Sequence, residues 1–223
     1  MRLKRIFSKK PELVFSCAIA GIADLYPICK ASEVPKKWLG ESKSAKKCPS
    51  ISRLVRIGWV QVAWQDIHIK TGENDFSWVT PINQHDLSTH ISVSDYVSWH
   101  KDEYHELVPD DEVIDQVIKI QAPWMARIPK GFSLLSTDWR FGDAKPYTTV
   151  TGLVRGDTEV TQLSVHLKAK KNTEFVIKAG QPLQQYFLIP DKQPDFVVRT
   201  ATQDDMDNYQ KLFIRNRNTL KEE

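Results

Sequence analysis

From Ala122 to Pro190 the chain alternates short β-branched and aromatic runs with Pro and Gly breaks. Val117–Ile120 leads into Pro123-Trp124, and Phe132–Ser136, Thr148–Val154, Thr161–Ala169, Glu174–Ile177 and Leu183–Ile189 follow. Runs of this length and composition are strands, and their spacing is that of a closed or layered β unit. The fold class expected is therefore mainly β: a compact barrel or sandwich of jelly-roll type over residues 113–200. An N-terminal extension (1–112) packs on it, and a C-terminal helix and tail (201–223) complete one structural domain. Gly180-Gln181-Pro182 punctuates the run before the last core strand, so Gly180 and Pro182 are read as a structural turn in which a Cβ is disfavoured.

Before the core the signals are more mixed. Leu13–Ile19 reads as a buried first strand. Ile51, Leu54 and Val55 fall at helical spacing, with Ser50 as a candidate cap and Gly58 as a stop. Trp59–Ile69 lacks a clean polar face and reads as one strand covered on both sides. Thr71–Asp75 is a turn, from which Phe76–Thr80 returns as a hairpin partner. The seven Trp of the 223 residues make a substantial core available, and Trp59, Trp64, Trp124, Val154, Val165, Leu183 and Phe187 are expected within it. Near the C-terminus, Thr202 with Asp205 three residues on is a capping pattern, and Met206, Tyr209 and Phe213 form an apolar stripe.

The formal net charge of +3 is too small to imply a nucleic-acid partner by itself. The excess is local: Arg2, Lys4, Arg5, Lys9 and Lys10, then Lys36, Lys37, Lys43, Lys46 and Lys47. These read as solvated basic faces, with phosphate contact as the alternative. Cys17, Cys29 and Cys48 are odd in number and lack C-x-x-C spacing, which favours reduced thiols inside a cell over a disulfide scaffold or a zinc knuckle. Basic residues ahead of Leu13–Ala23 imitate a secretion signal. Pro11 and Glu12 break the approach, however, and the run is too short to span a bilayer.

His100-Lys101-Asp102, with His166 downstream, matches the two-histidine, one-carboxylate set that holds non-haem iron, so His100, Asp102 and His166 are the candidate metal ligands. The polar residues around His100 read as a loop rather than a strand end, a poor place to hold such a ligand. His100 and His105 flanking Asp102 and Glu103 offer a second, less specific ligand set. Phosphate loops, dinucleotide fingerprints and nucleophile elbows are absent from the sequence.

Taken together, Phe15-Ser16 with Ile19-Ala20-Gly21, Tyr26-Pro27-Ile28, Pro35-Lys36-Lys37-Trp38, Lys46-Lys47-Cys48-Pro49 and Trp64-Gln65-Asp66 form a collinear set. It continues through Pro123-Trp124, Ile128-Pro129-Lys130-Gly131-Phe132-Ser133, Gly152-Leu153-Val154 and Gly180-Gln181-Pro182-Leu183-Gln184-Gln185. In order and spacing this set resembles an uncharacterised protein family of tailed bacteriophages, T4-like phages of marine bacteria among them. The resemblance implies a phage context and no particular reaction. More faintly, Gly152–Asp157 and Gln185 resemble two motifs of the β-clip fold of dUTPases and dCTP deaminases, which makes a β-clip the alternative to a jelly roll for the core. That resemblance implies nucleotide binding through Gly152, Arg155, Asp157 and Gln185. Arg155 stands where those enzymes place their water-activating Asp, and a guanidinium stays protonated and cannot act as a base.

The function expected is a non-enzymatic, phage-encoded protein that binds a protein partner in virion assembly or in the infected cell, in the host cytoplasm or the particle. No cofactor and no membrane association are expected. The alternatives are a metal-dependent, non-haem-iron-like enzyme and a degenerate nucleotide-binding β-clip protein.

Overall fold

The computed structural model describes residues 11–19, 21–39, 49–81, 97–100, 111–142, 144–156, 160–192, 195 and 198–219. It divides into two units, residues 1–191 and 192–223. The first unit opens with β1 (Val14–Cys17), α1 (Ile22–Leu25) and β2 (Cys29–Lys30), then two 3₁₀ turns at Ala31–Glu33 and Lys36–Trp38. Next come α2 (Pro49–Leu54), β3 (Trp59–Val62), β4 (Ile67–Thr71), β5 (Phe76–Val79) and β6 (Val97–His100). The remainder is β7 (Val117–Arg127), β8 (Phe132–Asp138), β9 (Tyr147–Thr149), β10 (Gly152–Arg155), β11 (Thr161–Ala169), β12 (Glu174–Ile177) and β13 (Pro182–Pro190). The second unit carries α3 (Gln203–Thr219).

The mainly β reading holds. The described residues from Val117 to Ile189 contain seven strands and no helix. All pairings are antiparallel and fall into three sheets: β1-β7-β11-β9 with β6 also on β7, β10-β8-β13-β3-β2, and β12-β4-β5. These are open sheets, so the barrel alternative is not realised among the described strands, and layered sheets bury the core instead. Ile67, Ile69 and Ile177 of the small sheet meet Ile118, Ile120, Val165 and Leu167 of the first sheet in one cluster. Trp124, Ala126 and Leu163 of the first sheet meet Leu134 and Tyr186 of the second in another, with Phe15 and Trp59 against them. A third cluster lies where Ala31, Val34 and Trp38 pack on Val60 and Trp139. Trp64, Trp124, Val165 and Leu183 are buried as expected, and Trp59, Val154 and Phe187 are partly buried, Trp59 and Val154 against the second cluster.

Local details depart from the sequence reading for identifiable reasons. Val117–Ile120 and Pro123-Trp124 belong to one eleven-residue strand. Pro123 has no N–H for a ladder, and the strand tolerates it because the register against β11 shifts there, between Gln162 and Ser164. On β7's other edge the partner changes at the same place, from β6 opposite Val117–Ile120 to β1 opposite Trp124–Arg127. Ser50 lies inside α2 instead of capping it, because Pro49 takes the first helical position, where its missing N–H costs nothing.

Trp59–Ile69 is two strands. Between them Ala63 donates its N–H to Gln181 O at 2.9 Å and accepts from Gly180 N–H at 2.7 Å, while Asp66 Oδ1 accepts from Ala179 N–H at 2.8 Å. The chain leaves β3 to receive the turn before β13. Gly180 holds φ +78° in that turn, a conformation open to glycine and strained for other residues. The β4–β5 hairpin forms in register, with Thr71 opposite Phe76 and His68 opposite Val79.

In the second unit, Thr202 and Asp205 exchange hydrogen bonds as a capping box. Thr202 N–H donates to Asp205 Oδ2 at 2.8 Å, and Asp205 N–H donates to Thr202 Oγ1 at 3.3 Å. The Arg199 guanidinium and then Thr202 hold the Asp205 carboxyl at about 2, below its ordinary value. Met206 and Tyr209 are exposed, and the Phe213 side chain lies outside the described residues. Among the described residues no helix is long and apolar enough to cross a membrane.

Candidate functional site

A pocket of about 230 Å³ opens in the first unit where four separated segments meet: the 3₁₀ turn at Trp38, the β8–β9 connection, β12, and the turn before β13. Five aromatic residues, Trp38, Trp139, Phe141, Tyr147 and Phe175, are among those that line it. Trp139 is buried and packs edge-on against Phe141, with ring centroids 4.9 Å apart. Its indole N–H donates to the Trp38 carbonyl at 3.2 Å, joining the β8–β9 connection to the N-terminal turn. Gly142 completes that junction. A Cβ there would lie 2.9 Å from the same carbonyl, and its φ is +107°. Also in the lining, the Tyr147 and Phe175 rings stack at 5.3 Å, which places β9 against β12. Gln181 Nε2 donates to Tyr147 Oη at 2.9 Å, and Gln181 Oε1 accepts from Lys178 N–H at 3.0 Å, so the Gln181 side chain is fixed at both ends.

Two lysines line this aromatic pocket. The Lys37 side chain is at the exposed rim, its Nζ 5.0 Å from the Trp38 ring centroid. Lys145 is the more constrained. Its Nζ donates to the Trp139 carbonyl at 2.9 Å and to the Pro182 carbonyl at 3.4 Å, and lies 5.5 Å from the Tyr147 ring centroid. Burial pushes its pKa down from the ordinary 10.5, with Asp138 opposing. Asp138 does not pair with it: Oδ1 is occupied by Thr149, accepting from the N–H at 3.2 Å and from Oγ1 at 3.0 Å. An ammonium has three N–H donors. Two of Lys145's meet neutral carbonyls, and among the described residues no carboxylate forms an ion pair with it. A partly desolvated ammonium bonded to two neutral carbonyls, with the Asp138 carboxylate near but not paired to it, is incompletely compensated, and an anion entering the pocket would relieve it.

Buried phenols flank the same region. Desolvation raises the pKa of both Tyr147 and Tyr186 well above the ordinary 10. Unfolded chains release phenolic protons as pH passes 10 while the folded chain keeps them, so these two groups make stability fall with rising pH. Lys145 acts oppositely. The folded chain loses its ammonium proton first, so its burial penalty eases as pH approaches 10.5. Two phenols outweigh one amine, and the urea midpoint is expected to drop between about pH 9 and pH 11. Lys145→Met, which removes the opposing contribution, is expected to steepen the drop. A midpoint that stays level or rises over that interval would contradict the burial of the two phenols.

Of the residues singled out from sequence, His100 ends β6, opposite Val117 of β7, so its main chain belongs to a paired strand and not to a loop. His166 is on β11, opposite Lys119 of β7, and β7 lies between the two histidine-bearing strands. Asp102 and His105 lie outside the described residues, and among those described no three His, Cys, Asp or Glu side chains gather as a metal would need. Gly152 and Arg155 are on the edge strand β10, opposite Ser136 and Ser133; Asp157 lies outside the described residues. Gln185 is one strand beyond β8, buried, and its Nε2 donates to the carbonyls of Leu54 at 2.9 Å and Ile57 at 2.7 Å. That amide closes the C-terminal end of α2 onto β13. Cys29 is partly buried, and burial raises its thiol pKa, which disfavours the thiolate.

Sequence reasoning missed Lys145 and its pocket. The available signal was local: Trp139, Phe141, Lys145 and Tyr147 fall within nine residues around Gly142 and Pro146, a turn-rich connection dense in rings. No protein-family model matches the chain, and no curated protein is similar to it.

Proposed function

We propose that this chain is a non-enzymatic, phage-encoded binding protein, and that it holds a protein partner through the Lys145 pocket, in virion assembly or in the infected cell. The observation that carries this reading is the under-compensated ammonium of Lys145 set among fixed aromatic rings. Such a site is built to hold a group by contact and charge, because its walls are pinned before any ligand arrives. Its size argues in the same direction. About 230 Å³ is below the ~300–1,000 Å³ of sites for drug-sized ligands, so it suits one side chain or chain end better than a whole nucleotide. The phage context comes from the motif resemblance. Exposed Trp78 and Val79 on β5 and Trp99 on β6 add apolar surface that a partner could cover.

Affinity capture from infected cells, with mass spectrometry of both the captured material and purified particles, tests the reading. A partner is expected in stoichiometric amount with the native chain and strongly reduced with Lys145→Met, while Lys145→Arg retains part of it. Recovery of the same partner in the same yield with all three chains would remove the pocket from the interaction.

A further inference from the structure

We propose that the group taken by the Lys145 pocket is a carboxylate carried next to an aromatic ring, as at a chain end terminating in Phe, Tyr or Trp or in a free aromatic acid. The inference rests on the reading of this pocket as a recognition site and names the chemistry it recognises.

Charge selects the sign of the ligand. Aromatic enclosures commonly take cations over their ring faces, but Lys145 and Lys37 both line this one and would repel a cation. Donor count selects the type of anion. Lys145 has already given two N–H groups to the Trp139 and Pro182 carbonyls, which leaves one. Among the described residues no arginine lines the pocket, so none supplies the forked donor that suits planar, bidentate capture of phosphate. One ammonium N–H with one rim lysine is enough for a single negative charge and poor compensation for a dianion.

Shape selects what the anion is attached to. Trp38, Phe141 and Phe175 are half-buried lining rings that keep some surface exposed, with the buried Trp139 and Tyr147 packed against Phe141 and Phe175. A third ring placed there gains offset or edge contacts worth about 0.5–1.5 kcal/mol per pair beyond area burial. Bringing ring and carboxylate in together also satisfies both requirements with one small group, within the volume of about 230 Å³.

The rings and the charge belong to elements that are already tied together. Trp139 is bonded to Trp38, and Tyr147 to Gln181. Little ordering remains to be done on binding, which favours measurable affinity even for a small ligand.

The test uses the full chain and three probes: N-acetyl-phenylalanine as the free acid, the same compound as its primary amide, and a pentapeptide ending in phenylalanine with a free carboxylate. Binding is read by calorimetry and by quenching of tryptophan fluorescence, since Trp38 and Trp139 line the site. The acid is expected to bind at least about tenfold more tightly than the amide. Lys145→Met is expected to erase that difference, and the exposed rim variant Lys37→Met to reduce it while leaving the fold intact. A pentapeptide clearly tighter than the free acid identifies a chain end as the source. Equal affinities identify a free aromatic acid; both support the proposal.

Equal binding of acid and amide, or no binding of either by the native chain, overturns it. These comparisons need only the native protein, so they stand even if Lys145→Met fails to fold. If the probes fail while Lys145→Met still releases the captured partner, the pocket remains the recognition site and only the ligand class is wrong. Failure of both removes both.

Discussion

Replacing Trp139 with alanine is expected to lower stability by about 3–5 kcal/mol, the range for truncating a fully buried large aromatic. Trp139 is 1% exposed and is the hub of the third core cluster, against Ala31, Val34 and Val60. Its loss removes the edge contact with Phe141 and the indole N–H that meets the Trp38 carbonyl. The cavity would open where Ala31 and Val34 of the N-terminal segment pack against it. For a chain of this size the melting temperature should fall by on the order of 10 °C. Trp139→Phe keeps most of the apolar volume and gives up the hydrogen bond, so a smaller loss is expected. A melting temperature for Trp139→Ala within a degree or two of the native value would mean that this layer unfolds independently of the rest. The same variant should weaken binding in the Lys145 pocket, because one wall is gone, even though the carbonyl of residue 139 remains to hold the lysine.

The strands from β7 to β13 were legible because their residues alternate against a pleat and because Pro and Gly mark their ends. The period-2 pattern of Thr161–Ala169 and the glycine before Pro182 are local chemistry, and local chemistry is what a sequence displays. The break at Ala63–Asp66 was not legible. No Gly or Pro stands there, and what interrupts the strand is a set of bonds, two from the Ala63 main chain and one from the Asp66 carboxylate, to Ala179, Gly180 and Gln181, more than a hundred positions away. An apolar residue in a β run is fully buried only where its sheet is completely covered, and Trp59, Val154 and Phe187 keep part of their surface exposed.

The pocket was the least legible feature, since Trp38, Trp139, Tyr147, Phe175 and Gln181 come from segments that no period connects. Gln185 shows the opposite error. It was singled out for nucleotide binding by resemblance, while its amide is engaged in holding α2. The motif-bearing position is explained by a structural bond that the resemblance could not display.

That bond sets up the second large effect, at Gly58. Gln185 draws the Leu54 and Ile57 carbonyls onto β13, so the chain must turn into β3 immediately afterwards. Gly58 makes the turn at φ +75°, and a Cβ there would lie 2.1 Å from the Tyr186 carbonyl oxygen. Tyr186 cannot easily give way. It pairs with Trp59 on one side and Ser136 on the other, and its hydroxyl donates to Gln61 Oε1 at 2.5 Å. Gly58→Ala therefore combines left-handed strain of roughly 1–2 kcal/mol with overpacking against main chain of about 1–3 kcal/mol.

Gly180 is the internal control. Its φ is +78°, but the nearest heavy atom to a built Cβ is Tyr26 Cε1 at 3.9 Å, so Gly180→Ala should cost the strain alone. Urea unfolding of the two variants should thus separate them, with Gly58→Ala the less stable by about 1–3 kcal/mol. Equal losses would show that the Tyr186 carbonyl yields freely. Adding Gln185→Leu to Gly58→Ala carries the argument one step further. With the α2 tether cut, the turn can relax away from β13, and the double variant should lose less than the sum of the two single losses.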